Sequence, residues 1–334
     1  YSASGQDMGA VVRQGRYWVV AYAVMIIAAQ FSLQRYMRWS PWLYAVGVAT
    51  LLGVMFFGVG AKGAQRWLSI GGFRFQPSEI MKLGVPMAVA WYLADQVLPP
   101  RFRYVLGALA LIGVPFLLIL RQPDLGTSLL IAASGLFVLF MAGISWSYIF
   151  GAVVLAFMSA WPAWLFVLQD YQKQRILTLL NPESDKLGAG WNIIQSKTAI
   201  GSGGWEGKGW LKGTQSQLDF LPESHTDFII AVLAEEFGLR GVLMLLGLYL
   251  LILLRGFWIG VRAQTSYGRM VAGSITLTFF VYIFVNMGMV AGLLPVVGVP
   301  LPLVSAGGTS VVTLMAGFGI LMAVSTEKRL SLIH

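Results

Sequence analysis

The chain has 334 residues, of which 57% are hydrophobic and only 11% are charged, against about 25% charged in ordinary soluble domains. A soluble protein this apolar would lack the polar surface that keeps it dispersed, so the composition indicates an integral membrane protein. The formal net charge of +9 does not indicate nucleic-acid binding, because most basic residues stand singly at the ends of apolar runs. The absence of cysteine excludes disulfides, thiolate catalysis and cysteine-ligated metals.

Apolar runs, taken in chain order, predict about nine membrane-spanning helices, each close to the roughly 20 residues that a bilayer requires. The predicted spans are approximately 15–34, 42–60, 78–94, 103–121, 124–143, 146–168, 237–257, 269–293 and 308–326. The expected fold class is therefore all-α, a polytopic membrane helix bundle that forms a single membrane domain over residues 1–334. The opening at Tyr1-Ser2-Ala3 reads as the exit of a further helix whose body is missing.

One connection is long, because residues 169–226 are rich in Gly, Lys, Asp and Glu and are too polar to lie in lipid. Elsewhere, basic residues gather on one side of the array, which the positive-inside rule makes cytoplasmic. These residues are Arg35, Arg38, Arg101, Arg103, Arg255, Arg262, Arg269, Lys328 and Arg329. The long loop and the connections at 61–77 and 294–307 are then expected to be extracytoplasmic.

The connection at 61–77 breaks this rule, since it carries Lys62, Arg66 and Arg74 on the outer side. The long loop carries further basic residues, Lys197 among them, but long loops translocate regardless of charge. That explanation does not cover a short loop. The basic residues at 61–77 therefore favour an anionic ligand or a lipid headgroup.

Ionisable residues also stand at the outer ends of predicted helices. Glu79 and Lys82 are three residues apart, so they share one helix face. Pro77 followed by Glu79 is an ordinary helix start, which explains the carboxylate but not the cation. An ionisable residue below the membrane interface is by default functional and paired. Asp124, which also follows a proline, allows both interpretations: a helix start or a functional carboxylate.

Asp227 stands where the long loop re-enters the membrane, beside His225. It is either a helix-start residue or a carboxylate at the water–lipid boundary, where apolar surroundings strengthen it as a base. With His225 and His334 as the only histidines, a His-rich metal site is excluded. A divalent cation held by carboxylates stays open.

Four spaced motifs carry a resemblance to a known family. They are Gln76-Pro77-Ser78-Glu79 with Lys82, Gln122-Pro123-Asp124-Leu125-Gly126-Thr127, Pro222-Glu223-Ser224-His225-Thr226-Asp227-Phe228, and Pro300-Leu301-Pro302-Leu303-Val304-Ser305 with Gly307-Gly308. With them the chain resembles, over essentially its whole length, the SEDS family (shape, elongation, division and sporulation). The segment 209–218 is similar to that of the RodA-type peptidoglycan glycosyltransferases. The family's bundles have one membrane helix more than the predicted spans.

The resemblance implies an inverting glycosyltransferase that polymerises lipid II into β-1,4-linked glycan for rod-shape cell elongation, facing the exterior of the bacterial cytoplasmic (inner) membrane. The undecaprenyl-pyrophosphate-linked donor is α-linked, so one displacement with one general base suffices. Asp227 matches the family's aspartate and is the expected base. The expected partner is a class B penicillin-binding protein, a transpeptidase. Small residues along 237–260, for example Gly241, Gly247, Gly256 and Gly260, indicate that this helix or a neighbour contacts the partner in a one-to-one complex, together with the outer loop.

The other polar residues on the outer side form the expected substrate-binding set. Cations would stabilise the departing pyrophosphate, glutamines would hydrogen-bond sugars, and Glu79 and Asp124 would orient Lys82 or hold Mg²⁺ or Mn²⁺. The set is Lys62, Arg66, Gln76, Glu79, Lys82, Gln122, Asp124, Lys197, Gln215 and His225.

A lipid II flippase or transporter is the main alternative function. It would need ionisable residues near the bilayer midplane, whereas the candidates above lie towards the outer third of the predicted spans. A scaffold for a cell-wall complex is the third possibility. It would leave Lys82 and the basic outer loop without a task.

Overall fold

The computed structural model describes residues 1–61, 64–70, 73–185, 188–217 and 224–327. The helices are α1 (Met8–Ala29), α2 (Leu33–Phe57), α3 (Pro77–Ala94), α4 (Phe102–Leu120), α5 (Leu125–Met141), α6 (Trp146–Pro162), α7 (Asp170–Leu180), α8 (Ala189–Gly203), α9 (Thr214–Gln217), α10 (Ile229–Arg262), α11 (Ser266–Val290) and α12 (Gly308–Thr326). The strands are β1 (Val59–Ala61), β2 (Ala64–Ile70) and β3 (Phe73–Phe75). By length and composition, 6 helices of the described ranges can cross a membrane.

Every predicted span coincides with a helix, so the all-α membrane fold class is confirmed. The predicted starts of α1, α2 and α10 were too late by several residues. Helix α1 begins at Met8 rather than near residue 15, and α2 begins at Leu33 rather than near residue 42. The first turns of α2 contain Arg35 and Arg38, because the helix continues beyond its apolar part.

Helix α10 is longer than the predicted span 237–257 and contains a kink. Gly238 has φ 64° and ψ −164° inside it, a conformation that residues with a Cβ rarely adopt. A Cβ at this position would also lie 2.6 Å from the carbonyl oxygen of Trp205. The kink therefore requires glycine, and it separates the membrane part of α10 from a short first segment that carries Glu235 and Glu236.

The two longest polar connections contain regular structure. Residues in 61–77 form part of a three-stranded antiparallel sheet in the order β1-β2-β3, in which Leu68 pairs with Phe75. The connection 169–226 contains α7, α8 and α9. Both segments were expected as loops, since a short strand or helix outside the membrane leaves no long apolar run in the sequence.

The chain divides into two compact units. Unit 1 comprises Tyr1–Arg13, Ile144–Leu250 and Tyr282–Ala306. Unit 2 comprises Gln14–Gly143, Leu251–Val281 and Gly307–His334.

Helix α3 forms the centre of unit 2. Met81 and Val85 on it are fully buried. Gly47 of α2 lies against Met81, and Gly135 of α5 lies against Val85, so closely that a Cβ at either glycine would be crowded. Small residues let membrane helices approach in this way. The N-terminal half of α3 is therefore held by close packing on two sides.

The core of unit 1 joins α8 to the ends of α10 and α11. Ile193 of α8 and Phe228, just before α10, are each 1% exposed. The buried hydroxyl of Ser196 donates to the carbonyl oxygen of Val290 at 2.9 Å, which ties α8 to the end of α11. This core fixes the backbone that precedes α10.

Candidate functional site

The first two turns of α3 carry a group that we call the Lys82 cluster, made of Ser78, Glu79 and Lys82. Nζ of Lys82 donates to Oε1 of Glu79 at 2.7 Å, which confirms the pairing that their spacing predicts. The two side chains are only 14% and 11% exposed. Oε2 of Glu79 and Oγ of Ser78 are buried without a hydrogen-bond partner among the described residues. Such atoms are costly to leave unsatisfied, so they are available to a ligand.

Asp124 is both a helix cap and the centre of a polar cluster. Its Oδ1 accepts from the backbone N–H of Thr127 at 3.2 Å, which caps α5. Its Oδ2 accepts from Nε2 of Gln76 at 3.4 Å and lies 3.6 Å from Nη1 of Arg66. Arg66 also donates to the carbonyl oxygen of Pro123 at 2.6 Å. The cluster therefore joins β2, the start of α3 and the start of α5.

Gln122 is committed to backbone contacts. It is 6% exposed, and its Nε2 donates to the carbonyl oxygen of Leu51 at 3.3 Å. Its own carbonyl oxygen accepts from Nε of Arg66 at 3.3 Å. Gln122 thus links the end of α4 to α2 and β2. Lys62 lies outside the described residues.

Asp227 lies in the turn formed by residues 224–228, which we call the Asp227 turn, immediately before α10. Its side chain is half-buried, while the next residue, Phe228, is 1% exposed and anchors the turn in the core. Nδ2 of Asn286 donates to the main-chain oxygen of Asp227 at 2.8 Å. A Cβ at Gly298 would lie 3.5 Å from Oδ2 of Asp227, so the carboxylate borders the 294–306 segment. This carboxylate has a fixed backbone and access to solvent.

The remaining predicted residues of unit 1 are Lys197, Gln215 and His225. The exposed side chain of Lys197 lies over Gly292, where a Cβ would be 2.7 Å from its Nζ. Oε1 of Gln215 is buried without a hydrogen-bond partner among the described residues, so it is available to a ligand. His225 is exposed and belongs to the Asp227 turn.

Sequence reasoning missed Glu235 and Glu236, which are 0% and 2% exposed. Oε1 of Glu235 accepts from Nζ of Lys208 at 2.7 Å and from the hydroxyl of Thr214 at 3.1 Å. Oε1 of Glu236 accepts from the hydroxyl of Ser2. The available signal was a pair of adjacent carboxylates at the head of an apolar helix, since buried carboxylates need partners.

The chain matches the family of FtsW, RodA and SpoVE, described as cell cycle proteins, over residues 1–330. The resemblance carried by the four motifs agrees with this match over the whole length. The chain therefore belongs to this family of multi-pass membrane proteins, the SEDS family.

Curated relatives place the chain near the elongation branch. The peptidoglycan glycosyltransferase MrdB of Escherichia coli K12 is 56% identical over 330 residues, which is 99% of this chain and 89% of the relative. The probable peptidoglycan glycosyltransferase FtsW of Geobacter metallireducens is 37% identical over 321 residues, which is 95% of this chain and 85% of the relative. The difference between the two identities fits the RodA-type resemblance.

Solved structures share the fold. The rod shape determining protein RodA of Thermus thermophilus has a TM-score of 0.72 at 27% identity, covering 97% of this chain and 89% of that chain. A chain from a peptidoglycan synthase complex, solved to explain how polymerization and crosslinking are coordinated, has a TM-score of 0.83 at 29% identity, covering 96% and 90%. The membrane helix bundle is therefore that of the family.

Proposed function

We propose that this chain is a peptidoglycan glycosyltransferase that polymerises lipid II into β-1,4-linked glycan strands for the elongation of rod-shaped cells. The whole-chain family match and the 56% identity to MrdB support the activity. The observation that carries the proposal is the placement of Asp227, a half-buried carboxylate in a turn whose backbone is held by Asn286.

In the proposed reaction Asp227 is the general base. The 4-hydroxyl group of the acceptor sugar transfers its proton to the carboxylate while its oxygen attacks the anomeric carbon of the donor. A new C–O bond forms on the face opposite the bond to pyrophosphate, which breaks, so an α linkage becomes a β linkage. Inversion needs one base and no covalent glycosyl-enzyme.

The Lys82 cluster is proposed to bind the leaving group, undecaprenyl pyrophosphate. The ammonium of Lys82 is largely buried, so its charge is weakly screened and stabilises the negative charge that develops as the bond breaks. Glu79 holds this ammonium at 2.7 Å. The buried hydroxyl of Ser78, which has no hydrogen-bond partner among the described residues, can donate to a phosphate oxygen.

A divalent cation such as Mg²⁺ or Mn²⁺ fits these residues through Oε2 of Glu79, a buried carboxylate oxygen without a hydrogen-bond partner among the described residues. Asp124 fits less well, because its oxygens accept from Thr127 and Gln76. The described ranges contain no group of three or more His, Asp or Glu side chains that could hold a metal. Substrate phosphates and water would complete the ligand set, and the cation would supply charge against the pyrophosphate.

The proposed topology follows the positive-inside rule, with Arg101 and Arg103 cytoplasmic and the 61–77 and 294–307 connections exterior. The proposed partner is a class B penicillin-binding protein, and the similar chain from a peptidoglycan synthase complex supports this pairing. Of the small residues expected at the partner surface, Gly256 packs against Thr276 of α11. Gly247 has open space around it, so we place the contact on that part of α10.

Fluorescent lipid II, supplied to the purified chain in detergent with and without the transpeptidase, tests this function. We expect a ladder of glycan polymers on a gel. A parallel assay in liposomes follows the passage of labelled lipid II from one leaflet to the other. Lipid transfer without polymer under any condition would support a flippase instead, and neither activity would support a scaffold.

A further inference from the structure

The backbone of the Asp227 turn is held by three hydrogen bonds to successive carbonyl oxygens. The carbonyl of His225 accepts from the N–H of Ala306 at 2.9 Å, and that of Thr226 accepts from the hydroxyl of Ser305 at 2.5 Å. The carbonyl of Asp227 accepts from Nδ2 of Asn286 at 2.8 Å. All of these residues belong to unit 1. Two of the three donors are side chains, so substitution can remove them one at a time.

Asn286 is an unusual residue for its position. It is 0% exposed within the apolar helix α11, where a buried amide is costly unless it is hydrogen-bonded. Its Nδ2 also donates to the carbonyl oxygen of Val299 at 2.7 Å. One amide group therefore joins the Asp227 turn to the 294–306 segment. The two carbonyls fix the orientation of the amide, because a flipped amide would place oxygen against oxygen.

Ser305 makes an equivalent link at the other end of the same segment. Its Oγ accepts from the N–H of Leu301 at 2.8 Å, which closes a turn, and donates to the carbonyl of Thr226. Gly298, with φ 74°, immediately precedes Val299, the residue that Asn286 contacts in this segment. A Cβ there would be 3.5 Å from Oδ2 of Asp227, so the segment borders the carboxylate as well as its backbone.

From this geometry we infer that Asn286 and Ser305 are positioning residues for the carboxylate of Asp227, an inference that rests on the proposed function. Neither needs to touch the substrate. They fix the main chain on both sides of the Asp227 side chain, so that the base stays within reach of the hydroxyl proton. Misplacement of a catalytic group by about 1 Å can lower the rate about 100-fold.

Four variants test the inference: Asn286→Ala, Ser305→Ala, Ser305→Thr and the control Ser274→Ala. Ser274 is a buried serine of α11 that donates to the carbonyl oxygen of Ser134 at 2.6 Å, so its loss removes a similar hydrogen bond far along the chain from the Asp227 turn. Initial rates of lipid II polymerisation at several substrate concentrations give kcat and KM, and thermal unfolding gives stability.

We expect Asn286→Ala and Ser305→Ala to lower kcat by roughly 10- to 100-fold with KM little changed, and to shift the acid limb of the kcat–pH profile. Ser305→Thr keeps the hydroxyl and should recover most of the rate. Ser274→Ala should lower the unfolding temperature without changing the pH profile. If Asn286→Ala fails to fold, the Ser305 pair decides the matter.

The inference is contradicted if Ser305→Ala polymerises at the wild-type rate, or if Ser274→Ala lowers kcat as much as the other alanine variants. Asp227→Asn, measured in the same assay, separates this failure from failure of the proposed function. An active Asp227→Asn protein would show that Asp227 is not the general base. If Asp227→Asn is inactive while the Asn286 and Ser305 variants polymerise normally, only the positioning role of Asn286 and Ser305 is contradicted.

Discussion

Lys82 has two roles that a single substitution does not separate. It neutralises Glu79 in a largely buried pair, and in the proposed reaction its ammonium stabilises the pyrophosphate. Removing one partner of a buried ion pair leaves an uncompensated charge and typically costs about 3–5 kcal/mol, whereas replacing both partners with neutral groups of similar volume is often tolerated. A pair of variants therefore distinguishes a structural cation from a functional one.

We expect Lys82→Met alone to lower the unfolding temperature and abolish polymerisation. The double variant Glu79→Gln with Lys82→Met should recover most of the stability, because no buried charge remains, and should still make no glycan. Thermal unfolding and the lipid II assay on both proteins check this. Polymerisation by the double variant at the wild-type rate would show that the pair is structural.

Arg66 shows how a residue predicted to bind substrate also builds the fold. Its donors reach the carbonyl oxygens of Gln122 and Pro123, and one nitrogen lies 3.6 Å from Asp124. Its charge in a short connection was visible in the sequence. Its backbone contacts were not, because the acceptors lie 56 and 57 residues further along the chain. The substrate role of Arg66 stays a prediction.

Among the elements, the start of α10 is joined to the preceding loop by hydrogen bonds and an ion pair within unit 1. The N–H groups of Lys208 and Gly209 donate to the carbonyls of Glu235 and Glu236, each at 2.9 Å. These carbonyls can accept from the loop because the kink at Gly238 interrupts the hydrogen bonds within the helix. The buried carboxylate of Glu235 adds the ion pair with Lys208. The kink and the carboxylate together hold the loop.

Glu235→Gln should loosen this loop. The substitution removes the charge that Lys208 neutralises, and hydrogen bonds to charged groups contribute about 1.5–3 kcal/mol each. We expect amide hydrogen exchange at Lys208 and Gly209 to become faster by at least about tenfold. Glu206→Gln is the matched control in the same loop, because the Glu206 side chain is 73% exposed and its ion pair with Arg240 is weak. Equal exchange rates in both variants would show that the buried ion pair between Glu235 and Lys208 does not hold the loop.

The sequence predicted which segments are helical in the membrane better than where they begin. Each apolar run in the sequence coincides with a helix of the structure, because lipid requires a continuous apolar helix. The start of α2 was missed because Arg35 and Arg38 interrupt the apolar pattern there, although backbone hydrogen bonding continues through them. The segment of α10 before Gly238 was missed for the same reason, since Glu235 and Glu236 lower its hydropathy.

The candidate site divides in a similar way. Glu79, Lys82 and Asp124 stand out because each is a charge next to an apolar run, and the pairing of Glu79 with Lys82 follows from helix geometry. Asn286 does not stand out, and Ser305 stands out only as part of the motif at 300–305, because a polar residue in an apolar segment gives no hint of its partner. Their acceptors are 59 and 79 residues away, and only the folded chain brings them together.

For the molecule as a whole, family membership and the membrane bundle rest on residues spread over residues 1–330. The six apolar helices of the described ranges provide the membrane-embedded body. The polar segments between them carry α7, α8 and the sheet, which hold the candidate residues outside the apolar runs. In this account the chemistry depends on a few side chains at helix starts.

The most direct test of the account is the rate of lipid II polymerisation by Asp227→Asn, because asparagine keeps the size of the side chain but removes its basicity. Asp170→Asn is the matched control, since Asp170 is exposed in the first turn of α7. A general base contributes about 100- to 10,000-fold, so Asp227→Asn should lose that factor while Asp170→Asn stays near the wild-type rate. Asparagine is nearly as good as aspartate at capping the start of a helix, so a purely structural role for Asp227 predicts almost normal activity. Near-wild-type glycan synthesis by Asp227→Asn would therefore contradict the central claim.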